Sequence, residues 1–559
     1  MKKYCVNKVL CLAFIALAIL TFASCGDDFD FENHYPGAEL KKEYAQNWVD
    51  LYGAIDPNQN WSMAQDTCVT VTVGASSNVK VYGKFDGIFK LVAQYDNLEG
   101  TASIPFSVVK GSEELFVSDG TMAVKTKIGG HVDFSAPATR GAFLAPSTDS
   151  FTDSNGKHTI EFELLDESHN LKIDYQSLAS AIDGLANVSP NSTVSNYSNV
   201  VVTDFTCVAT EGEVIIYPIN WINNENKELG IYLNGNKDKK IPLYQTEDDK
   251  SHPKMTLSYQ ITEGGPIYEV GSSGHEGVDK DAKYVYSPGI KITVPVGTVI
   301  GFYAVKTTGN GNGNNTKDYS YSEGTTGNVA TIDVNGTTLV GLYQKDNCSD
   351  FLFYAKNVTT ITNKLPSWYI ACEDLGNTGD YDFNDLVFKV STCSKTRENN
   401  TKYYYTIQPV AAGETKKAEF SLDEGKTWTE IHGCFTGCGT PDNNGRYTMI
   451  NTNADTGKSG VSLAKPENWN TEYEGKVSDL FAKFKIRVED NGQAIVIDAP
   501  EAGTAPQMIL TPDGWMWPRE RESIEIVYPG FKNWSRNATI EDWNNVKVSD
   551  LVYKAPLQQ

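Results

Sequence analysis

The chain has 559 residues, of which 40% are hydrophobic, 11% aromatic and 21% charged. This length accommodates about two to four domains with ordinary cores, and the apolar content excludes a disordered chain. Lys and Arg total 48 against 71 Asp and Glu, which gives a net charge of -23. We therefore predict that the protein is not a nucleic-acid binder, because phosphate attraction requires positive charge. After residue 24 no apolar run is long enough to span a bilayer.

The N-terminal segment has the three-part layout of a signal peptide. Three lysines within the first eight residues precede an apolar run at 9–22, and small residues then lead to Cys25. A cysteine directly after the cleavage point can be diacylated, so residues 1–24 are predicted to be a lipoprotein signal and Cys25 the lipidated residue. Phe22 departs from the Leu that is usual at this place, and an ordinary secretory signal is the alternative.

A short acidic segment, Gly-Asp-Asp-Phe-Asp-Phe-Glu at 26–32, follows the predicted anchor. It resembles the export tag of bacterial lipoproteins that reach the outer face of the outer membrane, with a solvated acidic linker as the alternative. Loss of the three lysines of the signal changes the net charge from -23 to -26. A protein this negative attracts divalent cations. We expect an outer-membrane lipoprotein that faces the cell exterior.

Seven cysteines follow Cys25, and none of them forms the CxxC spacing of a zinc or redox site. Cys434 and Cys438 are close enough to close a small loop, and Cys372 and Cys393 are candidates for pairing across a hairpin. An odd number leaves at least one thiol unpaired. We expect at most a structural role for these residues.

Short alternating apolar runs predict an all-β chain of tandem β-sandwich domains, jelly-roll or immunoglobulin-like, with a few short helices. The clearest runs lie at 68–73, 79–82, 91–93, 159–164, 213–218 and 291–294. The predicted parts after the signal are a tether at 25–60, a first sandwich at 61–145, a second at 150–392 and a C-terminal part at 393–559. Within the tether, Tyr44, Trp48 and Leu51 recur at helical spacing and predict a helix at about 41–52.

The best candidate for a ligand-binding segment is 368–388, where acidic residues lie between two strand-like runs. Five carboxylates and one carboxamide fall within 13 residues, namely Glu373, Asp374, Asp380, Asp382, Asn384 and Asp385. Like charges at one turn are unfavourable unless a cation compensates them. Hard oxygen ligands without His or Cys favour calcium. The alternative is a solvated acidic turn in which Asn384 and Asp385 cap backbone groups.

The D-x-D-x-N pattern that begins at Asp380 matches the opening of an EF-hand loop. However, Asp385 stands where that loop requires Gly, and Ser391 stands where it requires the bidentate Glu. The EF-hand is therefore excluded. We expect instead that two strand ends bring the acidic pair at 373–374 against the aspartates of the loop.

Two features together resemble the LruC-domain family of bacterial surface lipoproteins. One is the acidic core, with Asp-Tyr-Asp-Phe-Asn-Asp-Leu-Val-Phe at 380–388, and the other is the W-x-W-P tail at 515–518. The resemblance covers residues 290–545. It implies a surface location and a calcium-associated β-sandwich, but no defined activity.

The tail also predicts local structure. Pro518 suits the first position of a short helix, in which Ile524 and Val527 share one face before Pro529 ends it. We expect Trp515 and Trp517 to pack this helix onto a sheet, with sugar binding by the two tryptophans as the alternative.

No catalytic motif is present: the sequence contains no serine-hydrolase elbow, no H-E-x-x-H and no complete P-loop. We expect a noncatalytic adhesion or glycan-binding protein, with a glycan or a host or extracellular surface protein as partner. Its 62 aromatic residues include candidates for stacking platforms. One alternative is a glycoside hydrolase, or another polysaccharide-processing enzyme, that uses two carboxylates. The other is a subunit of a surface fibre or uptake complex, with Arg140 as a protease site in an exposed loop.

Overall fold

The structure is a computed structural model. It describes residues 37–135, 151–153, 156–158, 162–181, 201–202, 205–219, 227–245, 257–270, 278–310, 314–323, 329–342, 351–374, 380–397, 400–451, 461–463, 471–490, 492–540 and 542–553. The predicted signal 1–24, the anchor Cys25, the acidic segment 26–32 and Arg140 lie outside the described residues.

The first described element is helix α1, Ala38–Tyr52, whose buried side chains form an aromatic stripe. Tyr44, Trp48 and Tyr52 recur every four residues and are all 0–1% exposed. The prediction that Leu51 belongs to this stripe is wrong, since Leu51 is 52% exposed. A spacing of four residues keeps Tyr52 on the apolar face, whereas Leu51 rotates away from it.

The N-terminal strands form one long hairpin with three short strands beside it. They are β1 Ala64–Phe85, β2 Ile88–Val109, β3 Glu114–Ser118, β4 Ala123–Lys127 and β5 His131–Asp133. The predicted runs 68–73 and 79–82 are both part of β1, and β-bulges interrupt the β1–β2 register between Val73 and Val79. Asp86 and Gly87, both at positive φ, make the turn of the hairpin.

The middle of the chain is built from many short strands and one helix, α2, Tyr175–Ala181. The strands are β6 Phe151–Asp153, β7 Gly156–His158, β8 Phe162–Leu164, β9 Leu171–Asp174, β10 Val201–Val202, β11 Thr206–Ala209, β12 Glu213–Ile219, β13 Lys227–Leu233, β14 Lys240–Gln245, β15 Ser258–Gln260, β16 Ile267–Glu269, β17 Tyr284–Ser287, β18 Ile290–Thr293, β19 Val299–Asn310, β20 Asn314–Tyr321, β21 Val329–Val334, β22 Thr337–Leu342, β23 Phe351–Lys356 and β24 Val358–Thr362.

Two sheets face each other in this middle region. One contains β14, β13, β19, β11 and β24, and the other has the order β10-β21-β22-β23-β12-β18-β8. Ile231 and Phe302 from the first sheet share a buried cluster with Ile216, Ile292 and Phe353 from the second. The first sheet continues into the N-terminal strands because β24 pairs with β2 in parallel.

The C-terminal region contains a second pair of sheets and three short helices. Its elements are β25 Ser367–Cys372, β26 Leu386–Arg397, β27 Asn400–Ala412, β28 Ala418–Ser421, β29 Thr429–Glu430, β30 Met449–Asn451, β31 Val461–Leu463, β32 Thr471–Tyr473, α3 Val477–Lys483, β33 Lys485–Asp490, β34 Gln493–Asp498, β35 Met508–Pro512, α4 Ile524–Val527 and α5 Phe531–Arg536. Phe388 of one sheet lies 4.8 Å from Phe420 of the other, measured between ring centroids. The predicted all-β, multi-sheet sandwich fold is thereby confirmed.

The division into parts differs from the predicted one at two places. Residues 37–60 do not form a tether, because the aromatic face of α1 belongs to the same buried cluster as the C-terminal sheets. Phe85 of β1 likewise contacts Trp368 of β25, with ring centroids 5.3 Å apart. The predicted boundary at 392/393 falls inside β26, which pairs with β25 over residues 386–391 and with β27 over residues 386–397.

The predicted cysteine pairs are not formed, since both pairs are free thiols. Cys372 is opposite Leu386 in the β25–β26 register, and Cys393 lies seven residues farther along β26. That separation is about 23 Å at strand spacing, far beyond the reach of a disulfide.

The tail helix is shorter than predicted. Pro518 forms a bridge with Val552 and does not begin a helix. Arg521 has a φ of 64°, a left-handed conformation that interrupts helical geometry, and α4 begins only at Ile524. Ile524 and Val527 are nevertheless both buried, as predicted. No helix among the described residues has the length and apolarity needed to cross a membrane.

We predict that Trp48→Ala lowers the free energy of unfolding by about 3–5 kcal/mol, because it removes a buried ring from a close-packed aromatic cluster. Urea denaturation followed by circular dichroism measures this change. Leu51→Ala on the exposed face of the same helix is the control and is expected to change stability by less than about 0.5 kcal/mol. Equal effects of the two substitutions would contradict the placement of α1 in the core.

Candidate metal centre

The acidic stretch connects two neighbouring antiparallel strands. Cys372 at the end of β25 is opposite Leu386 at the start of β26. The residues just beyond this pair are therefore close in space, and the backbone N–H of Asp374 donates a hydrogen bond to Asp385 Oδ2 at 2.8 Å. Of the approach that the sequence predicts between residues 373–374 and the aspartates of the loop, this hydrogen bond accounts for Asp374 with Asp385.

Aromatic and acidic residues alternate in the loop that precedes β26. Tyr381 and Phe383 have φ values of 46° and 53°, so the chain turns sharply at each of them. Their rings are 0–1% exposed. The Tyr381 ring contacts Tyr44 at 5.0 Å and Trp48 at 5.2 Å, measured between centroids. The loop therefore places its aromatic residues in the core while its acidic residues meet other carboxylates.

The first acidic cluster contains Asp374, Asp385 and Glu414. One oxygen of each carboxylate lies within 4.8 Å of the other two. Glu414 is 6% exposed, and it reaches the cluster because β26 pairs with β27 as far as Leu386 and Ala412. Lys416 contributes one nearby positive charge, with its Nζ 3.7 Å from Asp374 Oδ2. Three carboxylates at this spacing form a candidate metal site.

The second acidic cluster contains Asp380, Asp382 and Glu520, again with carboxylate oxygens within 4.8 Å of one another. Asp382 is only 2% exposed. Its Oδ2 accepts a hydrogen bond from the backbone N–H of Arg521 at 2.7 Å. The left-handed turn at Arg521, which interrupts the predicted tail helix, thus directs a backbone donor at this carboxylate.

Asn384 lies between the two clusters. Its Nδ2 donates to the carbonyl of Pro518 at 3.3 Å, two residues before Glu520 of the second cluster. Its Oδ1 faces Gly413, the neighbour of Glu414 in the first cluster, and a β-carbon at Gly413 would lie 2.9 Å from that oxygen.

The Oδ1 of Asn384 is buried and accepts no hydrogen bond from the described residues. Leaving such an acceptor without a partner costs about 1–3 kcal/mol. Asn384 as a whole is 3% exposed. A buried oxygen without a donor, next to clustered carboxylates, is the arrangement that a hard cation would satisfy.

Glu373 belongs to neither cluster but lies beside the loop. It is 3% exposed, and its Oε1 accepts a hydrogen bond from the backbone N–H of Phe383 at 2.5 Å. Burial is the main cause that raises the pKa of Glu373 well above its usual range, and the negative charges of Asp382 and Asp380 raise it further.

The same physical causes act on two aspartates. Burial, followed by repulsion from Asp380, raises the pKa of Asp382 well above the ordinary value. Burial, followed by repulsion from Asp374, does the same for Asp385. These carboxylates are therefore costly to ionise together unless additional positive charge is present.

The structure places four of the six predicted residues in two clusters, leaves Glu373 and Asn384 outside both, and adds Glu414 and Glu520, which were not predicted. Glu414 carries no local signal, because it lies 29 residues after Asp385 in an ordinary strand-end sequence. Glu520 lies two residues after the W-x-W-P motif at 515–518, and no local sequence pattern places it next to the loop that precedes β26. Trp515 and Trp517 are 2% and 4% exposed and lie about 6 Å from Tyr369 of β25, so they pack on the sheet as expected.

Comparison of this chain with known protein families, with curated proteins and with solved structures gives no match.

We predict that the metal-free protein loses stability as the pH rises. In the folded state Glu373, Asp382 and Asp385 hold protons that the unfolded chain releases at ordinary carboxyl pKa values. Stability is therefore lost as the pH rises from the unfolded pKa toward the raised folded pKa. Scanning calorimetry in a chelator should show the melting temperature falling as the pH rises above the ordinary range of carboxyl pKa values.

The variant Asp382→Asn with Asp385→Asn is the control, because it removes two of the three titrating groups. Its melting temperature should depend less on pH than that of the unaltered chain. A melting temperature that rises with pH in the chelator, by the same amount in both proteins, would contradict the raised pKa values.

Proposed function

We propose that this protein is a calcium-stabilised, noncatalytic binding protein that is lipid-anchored on the outer surface of a bacterial outer membrane. The observation that carries the calcium part is the pair of carboxylate clusters on either side of the unpartnered Oδ1 of Asn384. Membership of the LruC-domain family of surface lipoproteins is part of this proposal and rests on the acidic core and the W-x-W-P tail.

The donor set favours calcium over other metals. Each cluster contributes carboxylate oxygens and no sulfur or imidazole, which disfavours zinc and copper. Calcium takes six to eight oxygen ligands in flexible geometry, so carboxylates, the Asn384 carbonyl and water can share its coordination sphere. Magnesium requires a stricter octahedron and retains its water more strongly.

The bound cation would hold three distant parts of the chain together. Asp382 is joined to the tail through Arg521, and the backbone N–H of Ile524 donates to the carbonyl of Tyr381 at 3.0 Å. On the other side of the loop, the Tyr381 ring packs against α1. Neutralising the carboxylates therefore stabilises the contact between the N-terminal helix, the loop and the tail.

The burial of the acidic residues supports a noncatalytic role. A glycoside hydrolase requires two carboxylates that face a substrate cleft. Here Glu373 and Asp382 are 2–3% exposed and accept hydrogen bonds from backbone N–H groups of their own loop and of the tail.

The proposed location on the cell surface rests on the sequence at residues 1–32, where the lipoprotein signal, Cys25 and the acidic segment follow one another.

We predict that calcium raises the melting temperature of the unaltered chain and that a chelator lowers it again, because the ion binds the folded state and relieves carboxylate repulsion. The variant Asp382→Asn with Asp385→Asn should lose this response, as should Asp382→Ala with Asp385→Ala. Differential scanning fluorimetry with calcium and with magnesium measures it.

Asp238→Asn, an exposed aspartate of the β13–β14 turn, is the matched control and should keep the full response. An identical transition with and without the chelator in the unaltered chain would refute the calcium proposal.

We predict that Cys25→Ser releases the protein from membranes, because serine cannot receive the thioether-linked lipid. Fractionation of cells followed by immunoblotting measures the membrane-bound share, and protease treatment of intact cells tests surface exposure. Cys68→Ser is the control and should remain membrane-bound. Continued membrane association of Cys25→Ser would refute lipid anchoring.

A further inference from the structure

The outer face of the β13–β19–β20 sheet has a layer of tyrosines. Ile231 and Phe302 point into the sandwich core. Their neighbours Tyr232 and Tyr303 therefore point to the opposite face, because side chains alternate along a strand. Together with Val305 these tyrosines form a separate apolar cluster outside the core.

Two glycines create the space for these rings. Tyr232 is opposite Gly301 and Tyr303 is opposite Gly230 in the β13–β19 register. A β-carbon at either glycine would overlap the ring across from it. The rings therefore lie across the neighbouring strand and form a smooth base on the sheet.

Strand β20, which pairs with β19, adds a second pair of tyrosines beside these rings. Tyr319 and Tyr321 stack with ring centroids 6.2 Å apart. Tyr319 lies 6.0 Å from Tyr303, and Tyr321 lies 5.8 Å from Tyr232. Tyr319 is 37% exposed, so its ring is accessible to a ligand.

Two lysines lie over these rings. The Nζ of Lys240 is 4.7 Å from the centroid of Tyr319, and the Nζ of Lys237 is 5.0 Å from that of Tyr321. The lysines donate to backbone carbonyls, Lys237 to Glu323 at 2.9 Å and Lys240 to Lys237 at 2.6 Å.

Neither lysine forms an ion pair with a carboxylate among the described residues. Asp238 is exposed in the same turn, and Glu323 is the residue whose backbone carbonyl accepts from Lys237. The Glu323 carboxylate accepts hydrogen bonds from Asn363 Nδ2 at 2.9 Å and from the Tyr232 hydroxyl at 3.4 Å. The face thus combines an exposed aromatic ring with two ammonium groups that have no carboxylate partner in the described part of the chain.

We propose that this tyrosine–lysine face, formed by Tyr232, Tyr303, Tyr319, Tyr321, Lys237 and Lys240, binds an acidic polysaccharide. The inference rests on the binding role in the proposed function and names its ligand class. A sugar ring would pack its C–H face on Tyr319, while a carboxylate or sulfate group accepts hydrogen bonds from the lysines.

Charge complementarity favours this occupant over other polyanions. Lys237 and Lys240 offer a small, local positive charge over the rings, which one or two acidic groups of a sugar chain can satisfy. A nucleic acid or an anionic membrane presents a higher density of negative charge. The chain, with its net charge of -23, repels such a dense charge more strongly than it repels a polysaccharide whose acidic groups are more widely spaced.

Biolayer interferometry of the full chain in detergent, with calcium present, tests the proposal. The immobilised probes are hyaluronan, which carries carboxylates, chondroitin sulfate, which adds sulfates, and neutral dextran. The unaltered chain should bind at least one acidic polymer and not dextran. Lys237→Gln with Lys240→Gln should weaken that binding by about tenfold or more, because charge-assisted hydrogen bonds are lost.

The matched control is Lys125→Gln on β4, an exposed lysine that pairs with Glu114 at 2.7 Å and should leave binding unchanged. Tyr319→Ala should also weaken binding, and its melting temperature and calcium response verify that it is folded. A stronger effect of the lysine variants on chondroitin sulfate than on hyaluronan would assign the sulfate as the recognised group.

Unchanged binding by the double lysine variant would overturn this site while leaving a glycan-binding role intact. Binding to dextran alone, or to anionic phosphatidylglycerol vesicles but to neither acidic polymer, would overturn the ligand class, and so would a failure to bind any probe. New reducing ends in the incubated polymers would instead overturn the noncatalytic role in the proposed function.

Discussion

Mutual repulsion between buried and half-buried carboxylates is the constraint around which the C-terminal region is arranged. Seven acidic residues, Glu373, Asp374, Asp380, Asp382, Asp385, Glu414 and Glu520, converge where β25, β26, β27 and the tail meet. Backbone N–H groups and Lys416 offset part of this charge. The remaining cost is reduced either by protonation or by a cation, so the fold of this region is linked to its ionic surroundings.

The same short loop supplies both the acidic groups and part of the hydrophobic core. Left-handed backbone at Tyr381 and Phe383 allows successive side chains to separate, with rings in the core and carboxylates in the clusters. Packing of the rings fixes where the carboxylates lie. Neutralisation of the negative charge on the carboxylates in turn favours burial of the rings. Core formation and metal binding are therefore expected to be cooperative.

Local sequence patterns were sufficient to predict the structural features that depend on residues close together in the chain. Alternation predicted β12, strand-like apolar runs predicted the two strands that flank the acidic loop, and helical spacing predicted α1. The crowding of carboxylates between two strand-like runs identified where acidic residues would gather. The all-β fold followed from many such short runs.

Features that depend on contacts between distant residues could not be predicted from local sequence patterns. The contribution of Glu414 follows from the β26–β27 register, and that of Glu520 follows from the return of the tail to the loop. The shared core of α1 with the C-terminal sheets joins segments more than 300 residues apart. Pro518 was compatible with a helix start, but the turn at Arg521 satisfies a buried carboxylate instead.

The position of α1 has a mechanical consequence. If Cys25 is fixed in a membrane, the chain enters the described fold only about a dozen residues later, a reach of at most about 40 Å. Tension between the membrane and a captured ligand would then act first on α1, whose rings hold Tyr381. Pulling on the anchor would thus strain the acidic loop before the distant sheets, and the ion content of the medium would set how much shear the attached protein withstands.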